Sequence, residues 1–112
     1  MNTQYINKII EKLKDLNPEK VILFGSHAYG EVAKDSDIDL IVVTNDEFYP
    51  KNYRERMDVH LKISKVLSEI IKEVPVDLIV YTKPMYRRFI ELGSLFSKEI
   101  TKKGKVLYEA HN

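Results

Sequence analysis

Apolar residues along the chain fall into runs of two kinds. Ile6, Ile9, Ile10, Leu13 and Leu16 recur at spacings of three and four, the period that lines up one face of an α-helix. Asn17-Pro18 ends that helix, because proline has no N–H to continue the ladder. Val21-Ile22-Leu23-Phe24 is an unbroken apolar run, too short for a helix and closed by Gly25, and predicts a buried strand. A brief segment from Ser26 to Tyr29 follows, with a break at Gly30, and Ser36 to Val43 predicts a second strand through Ile38, Leu40, Val42 and Val43. Between Asn52 and Glu73, residues Val59, Ile63, Val66, Leu67, Ile70 and Ile71 share one helical face and predict the longest helix. Pro75 halts it, and Val76 to Tyr81 predicts a third strand. Two short helices, Lys83 to Leu92 and Ser94 to Lys102, are separated by Gly93, and Lys105 to Tyr108 predicts a last short strand. The order is α-β-α-β-α-β-α-α with a terminal strand. No repeat, low-complexity tract or linker interrupts it, so residues 1–112 are expected to form one domain.

Composition narrows the function classes. Charged residues make up 31% and hydrophobic residues 44%, the balance of a globular chain. Eighteen basic against seventeen acidic side chains leave a net charge of +1, which supplies no broad basic field, so duplex nucleic acid is not an expected partner. Arg54, Arg56, Lys83, Arg87 and Arg88 read as solvated surface. The absence of cysteine excludes disulfides, thiolate metal sites and a cysteine nucleophile. No stretch approaches the roughly 20 apolar residues of a spanning helix, and Met1 to Lys12 lacks an apolar signal region, so a cytoplasmic protein without a membrane role is expected.

Three short constellations carry chemistry. Side chains alternate across a strand, so Asp37 and Asp39 emerge on one side and Ile38 and Leu40 on the other. Two carboxylates held that close repel, and a bound dication removes the penalty; magnesium is typically held by one or two carboxylates plus substrate phosphates. An Asp-x-Asp pair alone is more often a solvated strand end. Gly25-Ser26, directly after a buried strand, strengthens the reading, because glycine lets an anion approach the backbone while the N–H groups and the serine hydroxyl donate to it. Ser26 in isolation would be read as a simple helix cap. Asp77 interrupts the apolar run Val76 to Val80, where a charge is costly, and is the candidate third ligand. His27, His60 and His111 are too scattered for a metal or base role, and no Ser-His-Asp set supports hydrolase chemistry.

Gly25-Ser26-His27-Ala28-Tyr29-Gly30, a short spacer, and Ser36-Asp37-Ile38-Asp39-Leu40 resemble the signature of the nucleotidyltransferase superfamily related to DNA polymerase beta, and most closely its minimal nucleotidyltransferase group. The resemblance extends over essentially the whole chain, including the late strand aspartate Asp77 and the ending Gly104 to Tyr108. It implies an α/β fold of the α+β kind, with a small mixed sheet of three to four strands and helices packed mainly on one face. It also implies that Asp37, Asp39 and Asp77 bind two magnesium ions and carry the reaction. Gly25 and Ser26, with Ser36 at the turn into the strand, would hold the nucleotide. One departure is Tyr29, which stands where many relatives carry arginine, so that contact does not transfer.

Many members of the group resemble antitoxins that act beside a HEPN-domain ribonuclease toxin, some of them by moving AMP from ATP to a toxin tyrosine. The implied activity here is that transfer, with a nucleoside triphosphate and a HEPN toxin as partners. A non-catalytic antitoxin acting by surface contact, and a transferase modifying an aminoglycoside or another small molecule, are the alternatives. Tyr81, Met85, Tyr86, Phe89 and Phe96 are expected in the core, with an interface in a homo- or hetero-oligomer as the second reading.

Overall fold

The computed structural model describes residues 3–29 and 37–110. Ten elements follow one another: α1 (Thr3–Lys14), β1 (Lys20–Phe24), α2 (Ser26–Tyr29), β2 (Ile38–Val43), α3 (Tyr53–Val66), α4 (Ser68–Glu73), β3 (Val76–Tyr81), α5 (Lys83–Leu92), α6 (Leu95–Lys103) and β4 (Lys105–Glu109). The strands form one mixed sheet in the order β3-β2-β1-β4. β1 runs antiparallel to both β2 and β4, and β2 runs parallel to β3.

β1 and β2 are central and are covered on both faces, which is why their sequences read as unbroken apolar runs rather than alternating ones. Alternate residues still divide between two clusters. Val21, Leu23, Ile38, Leu40 and Val42 pack with Ile9 and Leu13 of α1, Ile63 of α3, Ile70 of α4 and Leu67 between those two helices. Ile22, Phe24, Ile41 and Val43 point the other way, against Ile100 of α6 and the rings of Tyr86 and Phe89 of α5. The first face is thus closed by α1, α3 and α4, while α5 and α6 cover only part of the second. At roughly 1.5–3 kcal/mol per fully buried aliphatic side chain, the first cluster is the main source of stability.

Local signals end most helices where the sequence predicts. Asn17 adopts a left-handed φ of 50°, a conformation asparagine tolerates, and with Pro18 it stops α1. The Asn52 side chain caps α3 by accepting from the Glu55 N–H at 3.0 Å. Gly93, at φ 61°, ends α5, and Ser94 caps α6 by accepting from the Ser97 N–H at 3.1 Å. The middle helix departs from expectation: Asn52 to Glu73 is not one helix but two, α3 and α4, broken at Leu67. The Leu67 N–H is shared between the carbonyls of Ile63 and Ser64, each at 3.2 Å, a local tightening toward a 3₁₀ turn. Leu67 is itself fully buried, so both segments keep their apolar side on the same core and the break leaves no trace in the hydrophobic period.

Candidate active site

The acidic residues gather where β2 and β3 begin. In the parallel pairing, Asp39 stands directly opposite Asp77, followed by Ile41 opposite Ile79 and Val43 opposite Tyr81. Ile41 and Val43 belong to the second cluster, with Ile79 and Tyr81 packed against it, so Asp39 and Asp77 emerge on the same, partly covered face. Asp37 stands immediately ahead of β2, two residues from Asp39. Asp37 and Asp77 are exposed and Asp39 is half-buried. Among the described residues no three His, Cys, Asp or Glu side chains close around a single point. The backbone therefore fixes a row of carboxylates along one sheet end rather than a finished three-ligand cage.

β1 is antiparallel to β2, and its last residue, Phe24, is the register partner of Asp39. The next residue, Gly25, turns away with φ at 72°, a left-handed conformation that side chains disfavour. A Cβ built on Gly25 would collide with the Asp39 carboxylate. Glycine is required here twice, by its dihedral angle and by the close approach of the acid. Ser26 then opens the one-turn α2, in which the Ala28 N–H donates to the Gly25 carbonyl at 3.0 Å. The two halves of the motif, Gly25-Ser26 and Asp37-x-Asp39, meet across β1 and β2. Ser36 and Gly30 lie outside the described residues, as do the side chains of His27 and Tyr29.

An aromatic border runs from this site across the second face. The Phe24 ring meets Phe96 of α6 edge-on at 5.4 Å, and Phe96 meets Phe89 at 5.6 Å. Tyr81, Tyr86 and Phe89 continue the stack, with Tyr81 and Phe89 5.2 Å apart. These rings pack against the second face, but Tyr81, Tyr86 and Phe89 are only half-buried and Phe96 is exposed, so the expected core placement holds in part. Adjacency of Phe24 to Gly25 is the single signal in sequence; Phe96 is more than seventy positions away and carries none.

The chain matches the family Polymerase beta, Nucleotidyltransferase over residues 7–112 and belongs to it. It is therefore a nucleotidyltransferase domain of the polymerase beta type, with the mixed sheet expected of that fold. No curated protein matches the chain. Among solved structures, a toxin-antitoxin complex with AMP-PNP is similar at 26% identity and a TM-score of 0.55, covering 95% of this chain and 74% of that one. A protein of Sulfolobus solfataricus, provisionally assigned as a nucleotidyltransferase, is similar at 20% identity and a TM-score of 0.59, covering 96% and 83%. A double aspartate-to-glutamate variant of the MntA-HpeT toxin-antitoxin is similar at 23% identity and a TM-score of 0.53, covering 95% and 74%. The latter two likenesses concern the fold alone. Among the described residues no helix is long and apolar enough to cross a membrane.

Proposed function

We propose that this chain is a magnesium-dependent nucleotidyltransferase that moves AMP from ATP onto a hydroxyl of a protein partner, a tyrosine of a HEPN ribonuclease toxin, and so acts as its antitoxin. The observation that carries the reading is the register of Asp39 beside Asp77 with the Gly25 backbone pressed against the Asp39 carboxylate. Support for the partner comes from likeness to a toxin-antitoxin structure holding AMP-PNP. The donor set fits magnesium, which takes hard oxygen ligands and is commonly held by one or two carboxylates together with substrate phosphates. Asp37, Asp39 and Asp77 are the residues that would hold it. When bound, the ions neutralise triphosphate charge and acidify the attacking hydroxyl.

The chain's own groups then have defined tasks. The Gly25 N–H and the Ser26 hydroxyl donate to the phosphates that leave, and Ser36, next to Asp37 in sequence, is a further candidate donor. Asp77, exposed at the start of β3, takes up the hydroxyl proton and releases it to solvent. Positioning and charge complementarity supply the rate. Incubation with ATP labelled on its α-phosphate, magnesium and the partner toxin tests the reading. Label on a toxin tyrosine supports it, whereas a tight complex that never acquires label replaces it with neutralisation by contact alone.

A further inference from the structure

The two edges of the sheet are built differently. β4 is interrupted by a bulge where its pairing with β1 shifts at Val21 and Ile22, and it carries Lys105 and Glu109, features that discourage a further strand from pairing. β3, Val-Asp-Leu-Ile-Val-Tyr, holds no lysine, arginine or proline, and its register with β2 is continuous from Val76 to Tyr81. The Ile38 N–H donates to the Pro75 carbonyl at 3.0 Å and the Thr44 N–H to the Tyr81 carbonyl at 2.8 Å, so both ends of the ladder are fixed. In a parallel ladder alternate residues turn both backbone groups to the same neighbour. Pro75, Asp77, Ile79 and Tyr81 therefore face β2, and Val76, Leu78 and Val80 direct their N–H and C=O groups outward. Among the described residues nothing bonds to those outward groups.

A strand added there lies about 4.8 Å beyond β3. Its residue opposite Asp77 projects on the same face as Asp77 and Asp39, because side chains in register across a ladder share a side. We propose that the outer edge of β3 docks an extended segment of the protein acceptor, which pairs with Val76, Leu78 and Val80 and sets a hydroxyl side chain beside Asp77. This deepens the transferase reading above and rests on it. The hydroxyl oxygen forms a bond to the α-phosphorus, the bond from that phosphorus to the bridging oxygen breaks, pyrophosphate leaves with the electron pair, and the proton passes to Asp77. The acceptor is thus selected first by backbone, as an extended chain, and the side chain only has to be a hydroxyl of sufficient reach.

Proline at position 80 removes an outward N–H without touching the β2 ladder, a placement edge strands tolerate. Val80→Ala removes a similar part of the side chain but keeps the N–H. The probe is a short peptide of alternating valine and threonine with a central tyrosine, with a version N-methylated on alternate residues as its partner, each incubated with the full chain, magnesium and α-labelled ATP. Label is expected on the tyrosine of the first peptide and about tenfold less on the second, and Val80→Pro should transfer about tenfold more slowly than Val80→Ala, the scale of one lost backbone hydrogen bond. Both variants should bind ATP with magnesium as the native chain does. Equal labelling of the two peptides, equal rates for the two variants, no label despite bound nucleotide, or a dimer of this chain joined through β3 would each overturn the docking proposal while leaving nucleotide binding intact. Failure of ATP to bind the magnesium-supplied native chain would instead overturn the transferase reading, and this inference with it.

Discussion

The second face of the sheet has two ends that treat charge in opposite ways. At the end where β3 runs into α5, opposite charges are paired: Lys83 reaches Glu47 at 3.0 Å and Glu19 at 3.4 Å, and Lys20 reaches Glu109 at 3.4 Å while lying over the Tyr86 ring. At the end where β2 and β3 begin, like charges are set side by side, Asp39 opposite Asp77 with Asp37 two residues from Asp39. The first arrangement is complete within the chain. The second sets acidic side chains along one sheet end, the arrangement on which the proposed metal site rests. One end of the face is tied together by ion pairs, and the other is the end to which the proposed function assigns chemistry.

The sharpest way to break this contrast is to neutralise the acid end. Asp39→Asn should lower transfer by about 10²–10³-fold or more, the scale for removing a group that stabilises charge at the reacting centre, while the near-isosteric amide keeps the chain folded. An active Asp39→Asn enzyme would remove the acid row from the reaction. Asp77→Asn should follow with a smaller loss of rate and a melting temperature unchanged or raised, since Asp77 is exposed and opposite a like charge. Core substitutions give the opposite signature. Leu67→Ala, at a fully buried position between α3 and α4, should cost about 2–5 kcal/mol in denaturant unfolding, with the activity of the remaining folded fraction nearly intact.

Gly25→Ala lies between these extremes and should fail on both counts. The left-handed φ alone costs an alanine about 1–2 kcal/mol, and its methyl group would displace the Asp39 carboxylate. Unfolding and transfer should therefore both suffer. Loss of stability with full activity would show that Gly25 serves the turn and not the acid.

How much of this was visible in the chain depends on the range of the interaction. β3 and α5 were legible to the residue, because Pro75 and Gly93 punctuate them and the apolar runs between have unambiguous periods. The motif residues Gly25, Ser26, Asp37 and Asp39 were legible as a group by their spacing. The break at Leu67 was not, since a buried leucine with a shared N–H continues the helical period without a signal. Nor was the register that sets Asp77 against Asp39, because parallel pairing is decided by the crossover through α3 and α4 rather than by either strand's own sequence. The contact of Phe24 with Phe96 and the outer edge of β3, unpaired among the described residues, are likewise products of assembly.

The smallest effect belongs to the end where charges are matched, and it is read through pH. Hydrogen bonding to Glu47 chiefly, helped by the negative charges of Glu47 and Glu19, raises the Lys83 ammonium above its ordinary value against a lesser opposing effect of desolvation. Burial, and after it the neighbouring Tyr86, raises the Tyr81 hydroxyl as well. Both groups are more basic folded than unfolded, so the unfolded chain loses their protons first. Their contribution is fully present below the unfolded values, near pH 10, and disappears as pH rises through the folded ones. Thermal unfolding should thus be flat in this respect around neutrality and weaken only in alkaline solution. Lys83→Met should lower the melting temperature slightly at neutral pH, because the pairs are partly solvated, and the gap to the native chain should narrow above pH 10. A gap that stayed constant there would mean that Lys83 stabilises through its aliphatic stem and not its charge. Transfer by Lys83→Met at neutral pH should match the native rate, since this charge lies at the far end of the face from the carboxylates.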